Sequence, residues 1–170
     1  NNRNPARERA NIRQNNNQTE QITQVKLDAE LRGLIAVTAD LNLFKVLRER
    51  VSESDFQNQA ARRLYNVLEE CFNEQIFTIR DILSKCNDEN LVRLITETIS
   101  SGVYQSEQVS IVVQDTINYI ERNRLDTQRN KLLQRIREYT VVTPEDQAQL
   151  QALLAEKLEL DKKVQALGKK

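Results

Sequence analysis

The fold of this 170-residue chain is decided by residues 143–167, which read TPEDQAQLQALLAEKLELDKKVQAL. The stretch begins as helices begin, with Thr143 suited to the N-cap, Pro144 to the first helical position, and two acidic residues to the positive end of the helix dipole. Apolar residues then recur at the a and d spacing of a coiled coil, with one polar interruption at Lys157. They are Leu150, Leu153, Leu160, Val164 and Leu167. The sequence therefore predicts a helix from Pro144 to about Leu167 with a single apolar seam.

The segment before this helix is expected to be its packing partner. From Ser106 the apolar pattern remains helical to about Tyr139 without a Gly or Pro, which predicts a helix of roughly 34 residues, on the order of 50 Å long. Such a helix overshoots a small bundle, so its second half needs a partner. Because only residues 140–142 separate the two helices, they are predicted to fold back as an antiparallel hairpin.

Upstream, residues 23–122 show the spacing of several shorter helices packed around one core. The first two helices are predicted over residues 23–38 and 40–51. Asn58, Thr78 and Asp88 each suit the N-cap of a further helix, and Gly102 suits the end of the last of these. The predicted fold is therefore all-α, with a compact bundle of about six helices, a long connecting helix and a C-terminal antiparallel helical hairpin.

Composition excludes several classes of function. The chain has no His, which removes the usual nucleophile–base pairs and histidine-ligated metals, and its three Gly are too isolated for a phosphate-binding loop. Cys71 and Cys86 are too few for a zinc site and are expected to be reduced, buried thiols. We therefore predict no catalytic, metal-binding or cofactor-binding residues and no enzymatic activity.

Neither a membrane span nor a signal peptide is apparent in the sequence, so a cytoplasmic location is expected. The chain contains no Met, which favours a fragment of a longer protein or a processed one. Residues 1–22 are rich in Asn and Gln and carry almost no apolar side chain, so they are predicted to be a disordered linker. Residues 23–122 and 123–170 are predicted to form a bundle subdomain and a hairpin subdomain.

Charge is balanced over the whole chain but not along it. The formal net charge is +2 over residues 1–22, -5 over residues 23–122 and +3 over residues 123–170. An acidic body with a mildly basic arm favours a protein partner. A nucleic-acid-binding domain normally shows a denser basic stripe, so direct contact with nucleic acid is expected to be absent or weak.

The hairpin carries more apolar side chains than one narrow seam can bury, and some lie at its predicted tip. Exposed apolar patches on projecting elements are typical of contact sites, so we predict a protein-binding surface, with self-association of the hairpin as a further expectation. The predicted apolar contacts are Ile136, Tyr139, Val141, Val142, Leu150, Leu153 and Leu154. The predicted steering cations are Arg135, Arg137 and Lys157.

Several stretches resemble the C-terminal helicase-binding domain of bacterial replicative primases. They are LFKVLRERVS at residues 43–52, Asp55-Phe56, ARRLY at residues 61–65, and LLAEKLELDKK at residues 153–163. The resemblance covers roughly residues 25–168 and consists of helical patterns rather than catalytic motifs. Members of that family often carry His-Pro between the first two helices, where residues 38–41 of this chain read TADL. This departure leaves the boundary between those helices open.

The resemblance implies a helical bundle, a long helix and a hairpin, and it implies a function. The domain would dock onto the N-terminal domains of the hexameric replicative helicase, recruit primase to the replication fork and stimulate the helicase. The polymerase and zinc-binding domains would then lie upstream of this chain, and residues 167–170 would be its natural end. Two alternatives stay open: an N-terminal domain of the helicase itself, or a helical nucleic-acid-binding module that uses the arginines of the long helix.

Overall fold

The computed structural model describes residues 25–76, 78–104 and 106–167. Within them the chain forms seven α-helices, one short 3₁₀ helix and no β-strand, which confirms the predicted all-α fold of bundle, long helix and hairpin. The 3₁₀ helix spans Glu53–Asp55. The α-helices are α1 (Ala29–Ala39), α2 (Asn42–Arg48), α3 (Gln59–Asn73), α4 (Ile79–Lys85), α5 (Glu89–Ser100), α6 (Ser106–Glu138) and α7 (Pro144–Leu167).

Most helix starts follow the capping residues found in the sequence. Asn58 Oδ1 accepts the backbone N–H of Ala60 at 2.8 Å at the start of α3. Asp88, Thr78 and Thr143 cap α5, α4 and α7 in the same way. Each side-chain oxygen satisfies a backbone donor that has no partner within its helix. These four predicted starts are confirmed.

The first helix is shorter than predicted. Residues 25–28 are not helical, and α1 begins at Ala29 because Asp28 Oδ1 accepts the backbone N–H of Leu31 at 2.9 Å. Asp28 therefore acts as the N-cap, a position that the apolar periodicity alone did not reveal. Residues 23 and 24 of the predicted helix lie outside the described residues.

The second helix is also shorter than the predicted span of residues 40–51. It ends at Arg48, and Val51 turns inward to become buried in the core. The buried hydroxyl of Tyr65 donates to the Val51 carbonyl at 3.1 Å, which satisfies an acceptor no longer used by a helix. The chain then enters the 3₁₀ helix through a capping box formed by Ser52 and Asp55.

One hydrophobic core joins α1 to α5 and the first half of α6. Its members lie between Leu31 and Ile120 in the sequence. Within it, α1 and α6 pack against each other more extensively than any other two helices do. The largest fully buried side chains include Phe44, Phe56, Leu31, Leu34, Leu64 and Ile117. The core residues of α6 therefore stop near Ile120, although the helix itself continues to Glu138.

Beyond Ile120 the second half of α6 packs against α7 as the predicted antiparallel hairpin. Arg129 Nε lies 2.9 Å from Asp161 Oδ1, and the Tyr139 hydroxyl donates to Gln149 Oε1 at 2.7 Å. These two contacts fix the register of the pair. Burial within the hairpin is sparse, with Leu132 and Leu160 the side chains most removed from solvent.

Two ion pairs tie the long helix to the bundle where the core ends. The Arg50 guanidinium binds Glu121 bidentately, with donor–acceptor distances of 2.8 and 2.5 Å. Arg124 Nη1 lies 3.7 Å from Asp55 Oδ2 on the 3₁₀ helix. Bidentate guanidinium–carboxylate pairs impose direction as well as attraction, so the first pair orients α6 as it leaves the bundle.

Cys71 and Cys86 are free thiols, as predicted; Cys71 is buried and Cys86 half-buried. Burial raises the pKa of the Cys86 thiol to about 11, which keeps it protonated near neutral pH. In the described part of the chain, none of the helices combines the length and apolar character required to cross a membrane. The predicted linker over residues 1–22 lies outside the described residues.

Candidate interaction surface on the helical hairpin

The seam of the hairpin follows the heptad pattern. Leu150, Leu153, Lys157, Val164 and Leu167 are each half-buried, and Leu160 is buried. Residues on the outward positions of α7 are exposed. The a and d residues are thus less exposed than the residues beside them on α7, because they face the partner helix, as the sequence predicted.

The polar interruption of the seam is satisfied within the hairpin. Lys157 Nζ donates to Asp161 Oδ2 at 2.6 Å, and Arg129 reaches the other oxygen of the same carboxylate. The hydrogen bond from Lys157 holds the pKa of Asp161 below its usual range. The Asp161 carboxylate therefore binds one cation from each helix of the hairpin. Lys157 forms its ion pair within the hairpin and does not project into solvent as a free cation.

The turn between α6 and α7 is built around Asp146. Its Oδ2 accepts the backbone N–H groups of Val142 at 3.1 Å and Thr143 at 2.8 Å, while the Thr143 hydroxyl accepts the Asp146 N–H at 3.2 Å. The two backbone donors lower the pKa of Asp146. Tyr139 adds a hydrogen bond to Gln149, and its pKa is raised by desolvation and by the nearby Asp146 carboxylate. The tip is thus held by hydrogen bonds from the turn backbone to Asp146 and from Tyr139 to Gln149.

Four apolar side chains remain exposed on this ordered hairpin. Val141 and Val142 lie at the tip with exposed fractions of 46% and 80%, and Leu154 and Leu158 lie on α7 with 48% and 57%. The two leucines are four residues apart and so share one flank of the helix, beside the seam. Because the backbone that carries these side chains is already ordered, little backbone entropy is lost when a partner covers them, which makes this flank suited to binding.

Cationic side chains lie next to the tip. Arg135 and Arg137 occupy the last turn of α6, where positive charge complements the helix dipole. Both are exposed, and neither forms an ion pair within the described residues. They are therefore available to an acidic partner surface, where rim charges act mainly on association rate.

The structure separates the ten predicted contact residues into two groups. Exposed residues are Arg135, Arg137, Val141, Val142 and Leu154; half-buried residues within the hairpin are Ile136, Tyr139, Leu150, Leu153 and Lys157. The second group holds the hairpin together as well as bordering its surface. Leu158 is an exposed apolar residue that the predicted set omitted. Its position outside the a and d register, one turn from Leu154, was the available signal.

Three carboxylates of the bundle, those of Glu70, Glu74 and Asp88, form ion pairs. Lys85 Nζ lies 2.5 Å from Glu70 and 2.9 Å from Glu74, and these hydrogen bonds raise the lysine pKa. Asp88 pairs with Arg63 at 2.9 Å. Within the described ranges, no cluster of three or more candidate metal ligands occurs. Among the described residues, the hairpin brings four exposed apolar side chains together on one projecting element.

Comparison with known proteins supports a relation to primases. No protein-family model matches the chain, and no solved structure matches it. A curated DNA primase from Treponema pallidum (strain Nichols) is 33% identical over 140 residues, which cover 82% of this chain. The aligned part is only 23% of that primase, so the chain spans about a quarter of the length of the relative it matches. The chain is therefore similar to one segment of a DNA primase.

Proposed function

We propose that this chain is a non-catalytic interaction domain of a bacterial replicative primase, and that it docks onto the N-terminal domains of the hexameric replicative helicase. Docking would recruit primase to the replication fork and stimulate the helicase. Two observations support the proposal: the similarity to a segment of a DNA primase, and the family resemblance of the helical patterns. Catalysis would belong to other domains of the parent protein.

The observation that carries the docking role is the exposed apolar flank of an ordered hairpin. Val142 and Leu154 are solvent-facing, although the hairpin that presents them is fixed by the Asp146 network and by the seam. A helical hairpin of this kind fits a groove between partner helices. The apolar residues would supply affinity, and Arg135 and Arg137 would steer the encounter.

The hexameric partner bears on how strong each contact needs to be. A ring of six subunits offers six equivalent sites, but a chain with one hairpin engages one site at a time, so each contact must hold without gain from linked sites. Removing one apolar side chain at the centre of such a contact typically costs about 1–3 kcal/mol of binding free energy. The loss should therefore be measurable as reduced co-elution at concentrations near the Kd of the unmodified chain.

The experiment is size-exclusion chromatography with light scattering of this chain mixed with the replicative helicase from the same source. Leu154→Asp places a charge on the exposed flank without disturbing the seam, so the variant should fold and should lose co-elution. The matched control is Ile111→Asp, since Ile111 is an exposed apolar residue on the bundle half of α6. This control should co-elute like the original chain.

The outcomes separate two claims. If the unmodified chain does not co-elute with the helicase at high concentration, the helicase is not the partner. If it co-elutes and Leu154→Asp co-elutes equally well, the partner is right and the hairpin flank is the wrong surface. The masses of the unmodified chain and of Leu154→Asp, each run alone, report whether the same flank mediates self-association.

A further inference from the structure

Two adjoining cavities lie where α6 leaves the bundle, remote from the hairpin tip. One, of about 310 Å³, lies between the loop after the 3₁₀ helix, Arg62 on α3 and one flank of α6. The other, of about 620 Å³, lies between the neighbouring face of α6 and the end of α7. Arg124 and Gln128, one turn apart on α6, line both cavities. The two cavities therefore meet at these two residues, and we call the combined region the junction.

The cations of this junction are only partly neutralised. Arg62 and Lys131 line the smaller cavity and Lys163 lines the larger, and within the described residues none of the three forms an ion pair. Arg62 Nε donates to the Phe56 carbonyl at 2.7 Å, which positions the side chain and leaves its terminal amino groups available. Arg124 has only a long contact, at 3.7 Å, with Asp55.

The two acidic residues of the junction already have closer partners. Glu121 is bound bidentately by Arg50 from outside the cavities. Asp55 accepts the backbone N–H and the hydroxyl of Ser52, each at 2.8 Å. Four cations therefore face the two cavities, and the closest partner of each carboxylate, Arg50 for Glu121 and Ser52 for Asp55, does not line them. The junction has an excess of available positive charge, although the bundle as a whole is acidic.

We propose that this junction binds the phosphodiester backbone of a single-stranded nucleic acid. Guanidinium and ammonium groups are the usual partners of backbone phosphates. Because the cations are spread over both cavities, a chain of successive phosphates would engage more of them than one isolated phosphate. The polar side chains of Asn123 and Gln128 add hydrogen-bond donors beside the cations.

This inference does not depend on the docking proposal. Lys131, the junction residue of α6 nearest to the tip, precedes the last turn of the helix by four residues, which is about 6 Å along the helix axis, and Arg124 lies about 10 Å further from the tip. A single strand could therefore be held at the junction while the tip contacts a protein. Variants at one surface should leave the other intact.

The test is fluorescence anisotropy of a labelled oligothymidylate titrated with the full 170-residue chain over a series of salt concentrations. The variant is Arg62→Ala combined with Lys131→Ala, and the control is Arg80→Ala combined with Arg93→Ala, two exposed arginines elsewhere on the bundle. Both variants remove the same charge. Each lost phosphate contact should reduce the slope of log affinity against log salt by about 0.7, or roughly fivefold in affinity at 0.1 M salt.

The expected result is binding by the chain, a reduced slope for the junction variant, and little change for the control. Equal weakening by both variants would mean diffuse attraction and would overturn the site, as would the absence of binding at low salt. ATP and polyglutamate are the competing probes. If either displaces the oligonucleotide at an equal concentration of charge, the site recognises an isolated phosphate or an acidic peptide, and the assignment of a strand is wrong.

Discussion

Gly33 on α1 and Thr116 on α6 lie at a close crossing of the two helices, where a Cβ on Gly33 would overlap the Thr116 side chain. The overlap includes Thr116 Cβ itself, which is fixed by the backbone, so a rotamer change cannot relieve it. Thr116 Oγ1 also donates to the Ala29 carbonyl at 3.1 Å. This contact sets how closely the long helix approaches the bundle.

We expect Gly33→Ala to destabilise the chain. Overpacking of a close helix contact typically costs about 1–3 kcal/mol, and the higher helix propensity of Ala returns up to about 1 kcal/mol. The net loss of about 1–2 kcal/mol should appear as a lower midpoint in urea unfolding.

A second substitution tests the cause. Thr116→Gly should rescue Gly33→Ala in part, whereas Thr116→Ala should not, because it retains the overlapping Cβ. A Gly33→Ala variant as stable as the original chain would show that the helices separate at little cost.

Glu30 illustrates a stabilising contact between distant parts of the sequence. The residue is 4% exposed, and its carboxylate accepts the backbone N–H groups of Gln57, at 3.1 and 3.0 Å, and Asn58, at 2.9 Å. Glu30→Ala should cost about 1–3 kcal/mol of unfolding free energy, because it leaves two partly buried donors without their acceptor. Glu30→Gln should cost less, since the amide oxygen can still accept. Chemical denaturation measures both.

The control for Glu30 is Glu89→Ala, which removes an exposed carboxylate from the first turn of α5. Its effect should stay within about 0.5 kcal/mol, as for most surface substitutions. Equal losses for Glu30→Ala and Glu89→Ala would indicate that the hydrogen bonds of Glu30 add no stability beyond the effect of removing one negative charge.

These two examples show where sequence-based prediction succeeded and where it could not. Caps such as Asn58 and seam positions such as Leu160 were predictable because they depend on neighbours within a turn or a heptad. Glu30 was not, because the backbone groups it binds lie 27 and 28 residues away. The early end of α2 was missed for a similar reason, since Val51 is drawn into the core and held by Tyr65.

The candidate surface was also predictable only in part. The sequence identified the hairpin and its apolar excess from periodicity, and the structure separates seam from flank. Leu153 and Leu154 are adjacent in the sequence but differ in exposure, because successive helix positions are rotated by about 100°. Which flank is exposed depends on the rotation of α7 against α6, and only packing fixes that rotation.

Lys157 is the polar residue of an otherwise apolar seam, and its charge pairs with Asp161. Replacing it with Leu would continue the apolar seam between Leu153 and Leu160, while Asp161 would keep Arg129 as its partner. Lys157→Leu should raise the thermal midpoint, because a single polar residue at an a position reduces coiled-coil stability. Lys162→Leu, on the exposed face of α7, is the matched control and should not raise it. A lower midpoint for Lys157→Leu would mean that its ion pair with Asp161 outweighs apolar packing.

The hairpin tip should loosen in acid because of Asp146. The pKa of this carboxyl is depressed from its ordinary value of 3.8 by the backbone donors of Thr143 and Val142. A depressed folded-state pKa contributes stability that is present above the ordinary value and is lost as pH falls through the lower, folded value. We therefore expect an intact tip at neutral pH and progressive loss of order below about pH 4.

Amide chemical shifts and hydrogen exchange of Val142 and Thr143, followed against pH by NMR, measure this transition directly. Asp146→Ala should show the loosened tip at all pH values, because it removes the acceptor. Glu145→Ala, which alters the neighbouring exposed carboxylate, should leave the pH dependence unchanged. If the two amides behave identically in the original chain and in Asp146→Ala at neutral pH, the tip is held by the helices alone, and docking through Val142 would need no ordered turn.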